Sequence, residues 1–141
     1  MPRVPKINPI ERFNNIYLER HSSTKHPDEY KREIFEHLNK TSRTEEELHM
    51  NLNIISFFLE KEPTPSNRSF YASKFLEIMK LTQNIKKHYP NADLSFNPKL
   101  FEELTKKIEI RNNESRFNEV SRILDKYILH YKNTISNQLF R

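Results

Sequence analysis

The 141-residue sequence contains no glycine, no cysteine and no tryptophan. Proteins average roughly 7% glycine, so a chain of this length would ordinarily contain about ten. The absence excludes every glycine-dependent motif, including dinucleotide- and phosphate-binding loops, nucleophile elbows and EF-hand calcium loops. The lack of cysteine excludes disulfides, thiolate zinc sites and cysteine nucleophiles.

The missing glycine also argues against a β-rich fold. Tight hairpin turns need backbone conformations with positive φ, which glycine adopts most easily. The sequence has no Asn-Gly, Asp-Gly or Gly-Gly pair, so extensive β structure is not expected. Asparagine also tolerates positive φ, and 15 are present. We therefore expect asparagine to take the place of glycine at helix C-termini.

Apolar residues recur at helical spacing along most of the chain. This pattern predicts an all-α fold, a compact bundle of five or six helices with short polar or proline-containing connections. We expect residues 1–9 to form an extended, proline-containing arm and residues 10–141 to form a single helical domain. Helices are predicted over about residues 9–20, 27–39, 45–61 and 68–88, then one from about residue 98 and one with apolar residues from 117 to 135.

Three helix starts have recognisable caps in the sequence. Asn8 and Asn97 each precede a proline, which favours the first helical position. Thr44 and Glu47 have the spacing of a capping box, in which both side chains satisfy free backbone N–H groups. These residues are predicted to begin the first, third and fifth helices.

The predicted helix ends depend on prolines and polar runs. Residues 62–67 contain two prolines and are predicted to connect the third and fourth helices. The Tyr89-Pro90 pair is predicted to end the fourth helix, with a loop and a short turn near Leu94 and Phe96 after it. At the polar stretch 111–116 the last helical region either breaks, with an asparagine C-cap, or continues as one long exposed helix; the break is favoured.

The net charge of +5 is carried entirely by the second half of the chain. Residues 1–70 hold 11 basic and 11 acidic side chains, whereas residues 71–141 hold 13 and 8. No apolar run approaches the roughly 18 residues of a membrane span, and no apolar segment follows the basic N-terminus. We therefore expect no transmembrane segment and no signal peptide. The predicted location is the cytoplasm, or a host cell if the protein is a delivered effector.

The side chains that could carry catalysis form no recognised pattern. The six histidines include no His-x-x-x-His pair, and only one Glu-x-x-His element, Glu46 to His49, is present. A di-metal bundle site needs two such elements, so the histidines are expected to lie at the surface. The acidic run 45–47 is explained by the helix dipole. We predict no catalytic residue, no metal and no cofactor, and a protein that is not an enzyme.

The basic second half supports nucleic-acid binding as an alternative function. Its candidate residues are Lys86, Lys87, Arg111, Arg116, Arg122, Lys126 and Lys132, with Tyr89, Tyr127 and Tyr131 interleaved. A purely structural explanation competes with this one. Lys106 and Lys107 each follow a glutamate by four residues, an arrangement that favours pairing within the helix. The tyrosines also fall on apolar stripes, which favours burial.

The leading hypothesis is a non-enzymatic protein–protein interaction module. Helical bundles with wide apolar stripes and no catalytic motif commonly act as adaptors, inhibitors or accessory proteins, here of a bacterium or a phage. The partner is expected to be another protein, bound through aromatic anchors with basic residues at the rim. Nucleic acid is the alternative partner, and an enzyme without a recognisable motif is the third hypothesis.

Overall fold

Local capping signals and prolines determine most of the helix boundaries. A computed structural model describes residues 8–16, 18, 27–91 and 96–139. These residues form α1 (Pro9–Asn15), α2 (Pro27–Thr41), α3 (Glu45–Lys61), α4 (Pro65–His88), α5 (Phe96–Lys107) and α6 (Asn113–Leu139). No strand occurs among them. The predicted all-α bundle is confirmed, with six helices.

The caps predicted for the first and third helices are present. The Asn8 side chain accepts a hydrogen bond from the backbone N–H of Ile10 at 2.9 Å. The Thr44 hydroxyl accepts one from the N–H of Glu47 at 3.1 Å. The Glu47 carboxylate reaches back to the N–H of Arg43 at 2.8 Å, one residue before the cap. Both helix starts thus satisfy backbone donors that would otherwise lack partners.

Several predicted boundaries were wrong by a few residues. Helix α4 begins at Pro65 rather than near Arg68, because proline is compatible with the first helical position and Thr64 supplies the cap. Helix α5 begins at Phe96, so Asn97 lies in its first turn. Helix α1 ends at Asn15, well before Arg20, and α2 continues two residues past Asn39 to Thr41.

The prediction that asparagine would end helices in a left-handed conformation was wrong. No described residue has a positive φ. Glu62 and Tyr89 end α3 and α4 with φ values of −75° and −135°. Each precedes a proline, which excludes the helical conformation at the residue before it. Proline therefore ends these helices without a left-handed residue.

The predicted break between the last two helices is confirmed, but its asparagine has a different role. Helix α5 ends at Lys107 and α6 begins at Asn113. The Asn112 side chain accepts a hydrogen bond from the N–H of Ser115 at 2.9 Å, so it caps the start of α6 rather than the end of α5.

Three predicted features lie outside the described residues. They are the extended arm before Asn8, the connection between the predicted helices 9–20 and 27–39, and the turn at Leu94. The division into an arm and one domain stays a prediction.

Ion pairs between helices define how the bundle is arranged. Lys74 pairs with Asp125 at 2.9 Å and Glu77 with Lys132 at 3.2 Å, so α4 and α6 run parallel. Helix α5 lies antiparallel to α6, as Glu103 pairs with Lys126 at 2.9 Å and Lys107 with Glu119 at 2.7 Å. The three-residue connections before α3 and α4 make α2, α3 and α4 successive antiparallel neighbours.

The core is formed by the apolar stripes of all six helices. Helices α3 and α4 are central, because α3 packs against α1, α2, α4 and α5, and α4 packs against α2, α3 and α6. The largest fully buried side chains include Phe13, Phe58, Tyr71, Phe75 and Tyr131. Burying each of these phenylalanine side chains contributes about 1.5–3 kcal/mol from the hydrophobic effect. All lie on stripes that the spacing of apolar residues predicts.

Candidate functional site

The seven basic residues predicted for nucleic-acid binding do not form one surface. Three of them form ion pairs: Lys126 with Glu103 at 2.9 Å, Lys132 with Glu77 at 3.2 Å and Arg122 with Glu119 at 3.5 Å. Lys86, Lys87 and Arg111 are exposed and form no ion pair with a described residue. Since α4 and α6 run parallel, Lys86 at the end of α4 and Arg111 before α6 lie at opposite ends of the bundle.

Arg116, the seventh of these residues, is a buried structural group. Its side chain is 5% exposed. Its guanidinium donates to the carbonyl oxygen of Ile110 at 2.7 Å, to that of Lys61 at 3.3 Å and to the side chain of Asn113. Arg116 therefore joins the end of α3 to the connection between α5 and α6. It is not positioned to contact a ligand at the surface.

The tyrosines between these basic residues are largely part of the core. Tyr127 and Tyr131 are 5% and 1% exposed, and burial raises the pKa of each to about 12. Tyr89 is half-buried. The expectation that the interleaved tyrosines pack inside is confirmed for Tyr127 and Tyr131, which are unavailable for stacking on nucleic-acid bases.

The expectation that the histidines lie at the surface was wrong for His37. Its side chain is 3% exposed, because residue 37 lies on the apolar face of α2 between Ile34 and Leu38. Burial, with the charges of Lys40 and Lys86, lowers the pKa of His37 to about 4. His37 is therefore neutral near pH 7, and its Nδ1 has no hydrogen-bond partner among the described residues. His88 and His130 are exposed.

His37 lines a large groove bounded by α2, α3, α4 and α5, here called the α2–α5 groove. Its volume is about 680 Å³. The apolar part of its wall consists of Leu38, Met50, Ile54, Phe75, Ile78, Met79, Leu100 and Phe101. Each of the four helices contributes to this wall, so the groove exists only in the assembled bundle.

The hydroxyl groups in the groove are already hydrogen-bonded to the protein. Thr41, Thr82 and Thr105 each donate to the carbonyl oxygen four residues earlier in their own helix, at 2.8–2.9 Å. Their methyl groups add to the apolar wall while their polar atoms are satisfied. A ligand in the groove would consequently be held by apolar contact rather than by these hydroxyls.

Charged side chains line the groove together with the apolar wall. They are Arg43, Glu47, Lys86, Glu102 and Lys106. The Glu47 carboxylate is engaged with the N–H of Arg43, at the start of α3. The cations Arg43, Lys86 and Lys106 are exposed and form no ion pair with a described residue.

A second, more open depression of about 520 Å³ adjoins the groove across α3. Met50 and Ile54 line both cavities, so apolar surface continues from one to the other. Met50 is 54% exposed, and the other large hydrophobic side chain of comparable exposure among the described residues is Leu129, at 60% on α6. Leu129 lines neither cavity. Met50 is thus the most exposed apolar side chain that lines the groove.

The described part of the chain contains neither a candidate metal site nor a candidate membrane-spanning helix. No group of three or more His, Asp or Glu side chains is arranged to hold a metal ion. None of the described helices combines the length and apolar character needed to cross a bilayer. No protein-family model, no curated protein and no solved structure matches the chain. Its function is therefore inferred from the groove itself.

The sequence contains a signal for His37 but none for the groove as a whole. The spacing of His37 from Ile34 and Leu38 places it on the apolar stripe of α2, and this position, rather than any metal-binding pair, predicts its burial. The groove depends on how far α5 stands from α2 and α3. That separation is a property of tertiary packing, and no local pattern encodes it.

Proposed function

We propose that the protein is a helical protein-binding module whose α2–α5 groove receives apolar side chains of a partner segment. The observation that carries this proposal is the groove's apolar wall, whose most exposed member is the half-exposed Met50, the others being at most 8% exposed. Burial of apolar surface is the main favourable term in protein association. Binding energy is concentrated in a few well-packed anchors of this kind.

The extent of the apolar surface supports a protein partner. The volume of the groove alone lies within the range of roughly 300–1,000 Å³ that is typical of small-molecule binding sites. The surface continues past Met50 into the second depression, however, and a compact ligand would leave that part uncovered. A peptide segment that crosses α3 would contact both cavities.

The alternative of nucleic-acid binding receives less support from the arrangement of charges. Four of its seven basic residues are buried or ion-paired, and two of its three tyrosines are buried. The remaining cations are divided between the two ends of the bundle. Nucleic-acid affinity normally depends on several phosphate contacts made together.

A peptide-display selection with matched variants tests the proposal. Dodecapeptides built from Leu, Phe, Ser, Glu and Lys would be selected on the wild-type protein, and the affinity of the best binder measured. We expect Met50→Gln to weaken it at least fivefold, about 1 kcal/mol, by removing an apolar contact at the edge of the groove. Leu129→Gln is the control, because it makes the same change at an equally exposed site on α6. Failure to select any binder, or equal effects of the two substitutions, would refute the proposal.

A further inference from the structure

We propose that the partner segment carries acidic side chains next to its apolar anchors, and that Lys86, Arg43 and Lys106 bind them at the edge of the α2–α5 groove. This inference rests on the protein-binding function proposed above. It adds the charge of the partner, which the apolar wall alone does not specify.

The first support is the absence of ion pairs among the cations of the groove. Outside the groove, Arg12, Lys74, Lys107, Arg122, Lys126 and Lys132 have a carboxylate within 4.0 Å, whereas the exposed Arg32, Lys40, Lys61, Lys87 and Arg111 have none among the described residues. The groove cations Arg43, Lys86 and Lys106 have none among the described residues. The groove therefore presents positive charge that neighbouring helices leave unneutralised, directly beside an apolar wall.

The carboxylates of the groove do not remove this excess. Glu47 accepts the backbone N–H of Arg43 and is held at the start of α3. Glu102 is exposed on α5 and leaves Lys106 without an ion pair. Two carboxylates thus face three lining cations, with Lys40 of α2 close enough to act on His37 as Lys86 does. Complementary charge at an interface mainly sets specificity and association rate, so an acidic segment is favoured over a basic one.

The pKa of the buried His37 depends on the charges in the groove, so its change on binding indicates the charge of the bound segment. Its ring lies in the wall, and the groups around it are Lys40 on α2, Arg43 and Glu47 at the start of α3, Lys86 on α4 and the α5 pair Glu102 and Lys106. A carboxylate that binds among these cations offsets their effect on the imidazole and favours its protonated form. An uncharged segment in the same place has no such effect.

The same peptide library supplies the experiment, because Glu and Lys are offered in equal proportion. We expect Glu to be enriched at least threefold over Lys among binders to the wild-type protein. Selection on Lys86→Glu should abolish this preference, since the substitution reverses one groove charge. Lys87→Glu is the matched control: it makes the same change in net charge one residue away, at an exposed site that does not line the groove. Enrichment that is absent, or that Lys87→Glu abolishes equally, would overturn the inference.

A spectroscopic measurement on one selected peptide gives an independent result. Its binding should raise the pKa of His37 from about 4 in an NMR titration. Its analogue with Gln in place of Glu should bind at least fivefold more weakly and should not raise the pKa of His37. Equal affinity of the two peptides would overturn the acidic preference while leaving the protein-binding proposal intact. If no peptide binds, or if decanoate or single-stranded DNA binds more tightly than any peptide, the groove has a different occupant and both proposals fail.

Discussion

The burial of His37 predicts a loss of stability on mild acidification. In the unfolded chain a histidine binds its proton near pH 6.5, whereas folding lowers the pKa of His37 to about 4. Below pH 6.5 the unfolded state therefore binds the proton first, and the folded state loses stability as the pH falls toward 4. The full difference corresponds to about 3 kcal/mol, of which about 2 kcal/mol is lost between pH 7 and pH 5.

The carboxylates that are ion-paired in the fold contribute little to the change in stability between pH 7 and pH 5. Arg12 and Lys126 form hydrogen bonds with Glu60 and Glu103 and hold the pKa of each carboxyl below its usual range. Protonation of these carboxylates destabilises the fold only at lower pH. The decline between pH 7 and pH 5 can therefore be assigned to histidine.

Denaturant unfolding at pH 7, 6 and 5 measures the effect. The wild-type free energy of unfolding should fall by about 2 kcal/mol over this range, and His37→Gln should abolish most of the decline. His88→Gln removes an exposed histidine from the last turn of α4 and should leave the decline unchanged. A decline that persists in His37→Gln, or one that is absent from the wild type, would refute the burial of a neutral His37.

Three further predictions concern the fold. Arg116→Met should lower the free energy of unfolding by about 3 kcal/mol, because it leaves buried carbonyl groups without a donor, whereas the exposed Arg122→Met should change it by less than about 0.5 kcal/mol. Thr44→Ala should cost about 1 kcal/mol by removing the cap of α3, and Thr44→Ser should restore most of it. Leu104→Ala, at a fully buried site, should cost about 2–5 kcal/mol, against less than about 0.5 kcal/mol for the exposed Leu129→Ala. Urea unfolding at pH 7 measures the free energy of unfolding of each variant. If the two variants compared in any of these predictions lost equal stability, the burial or capping role assigned to that residue would be contradicted.

The parts of the fold that follow local rules could be predicted from the sequence. The caps at Asn8 and Thr44 require only residues within one turn, and they are present. The helical stripes predicted the core because a helix that packs on one face must place its apolar residues at that spacing. The prolines after Glu62 and Tyr89 end α3 and α4 as predicted, whereas the left-handed asparagines expected at helix C-termini are absent from the described residues.

The parts that depend on packing between distant segments could not be predicted. Glu103 and Lys107 have the spacing of a pair within α5, yet each pairs with α6, through Lys126 and Glu119. Burial of Arg116 depends on carbonyl groups from two distant places in the sequence, the end of α3 and the connection between α5 and α6. The α2–α5 groove likewise needs four helices in place. Side-chain type and sequence spacing contain no information about these long-range contacts.

The most direct test of the proposed function compares the dissociation constant of one selected dodecapeptide for three proteins. Wild type and Leu129→Gln should bind it equally, and Met50→Gln should bind it at least fivefold more weakly. This result would assign binding to the α2–α5 groove. Equal affinity for all three proteins, or loss of binding with Leu129→Gln, would contradict the claim that the groove is the docking surface.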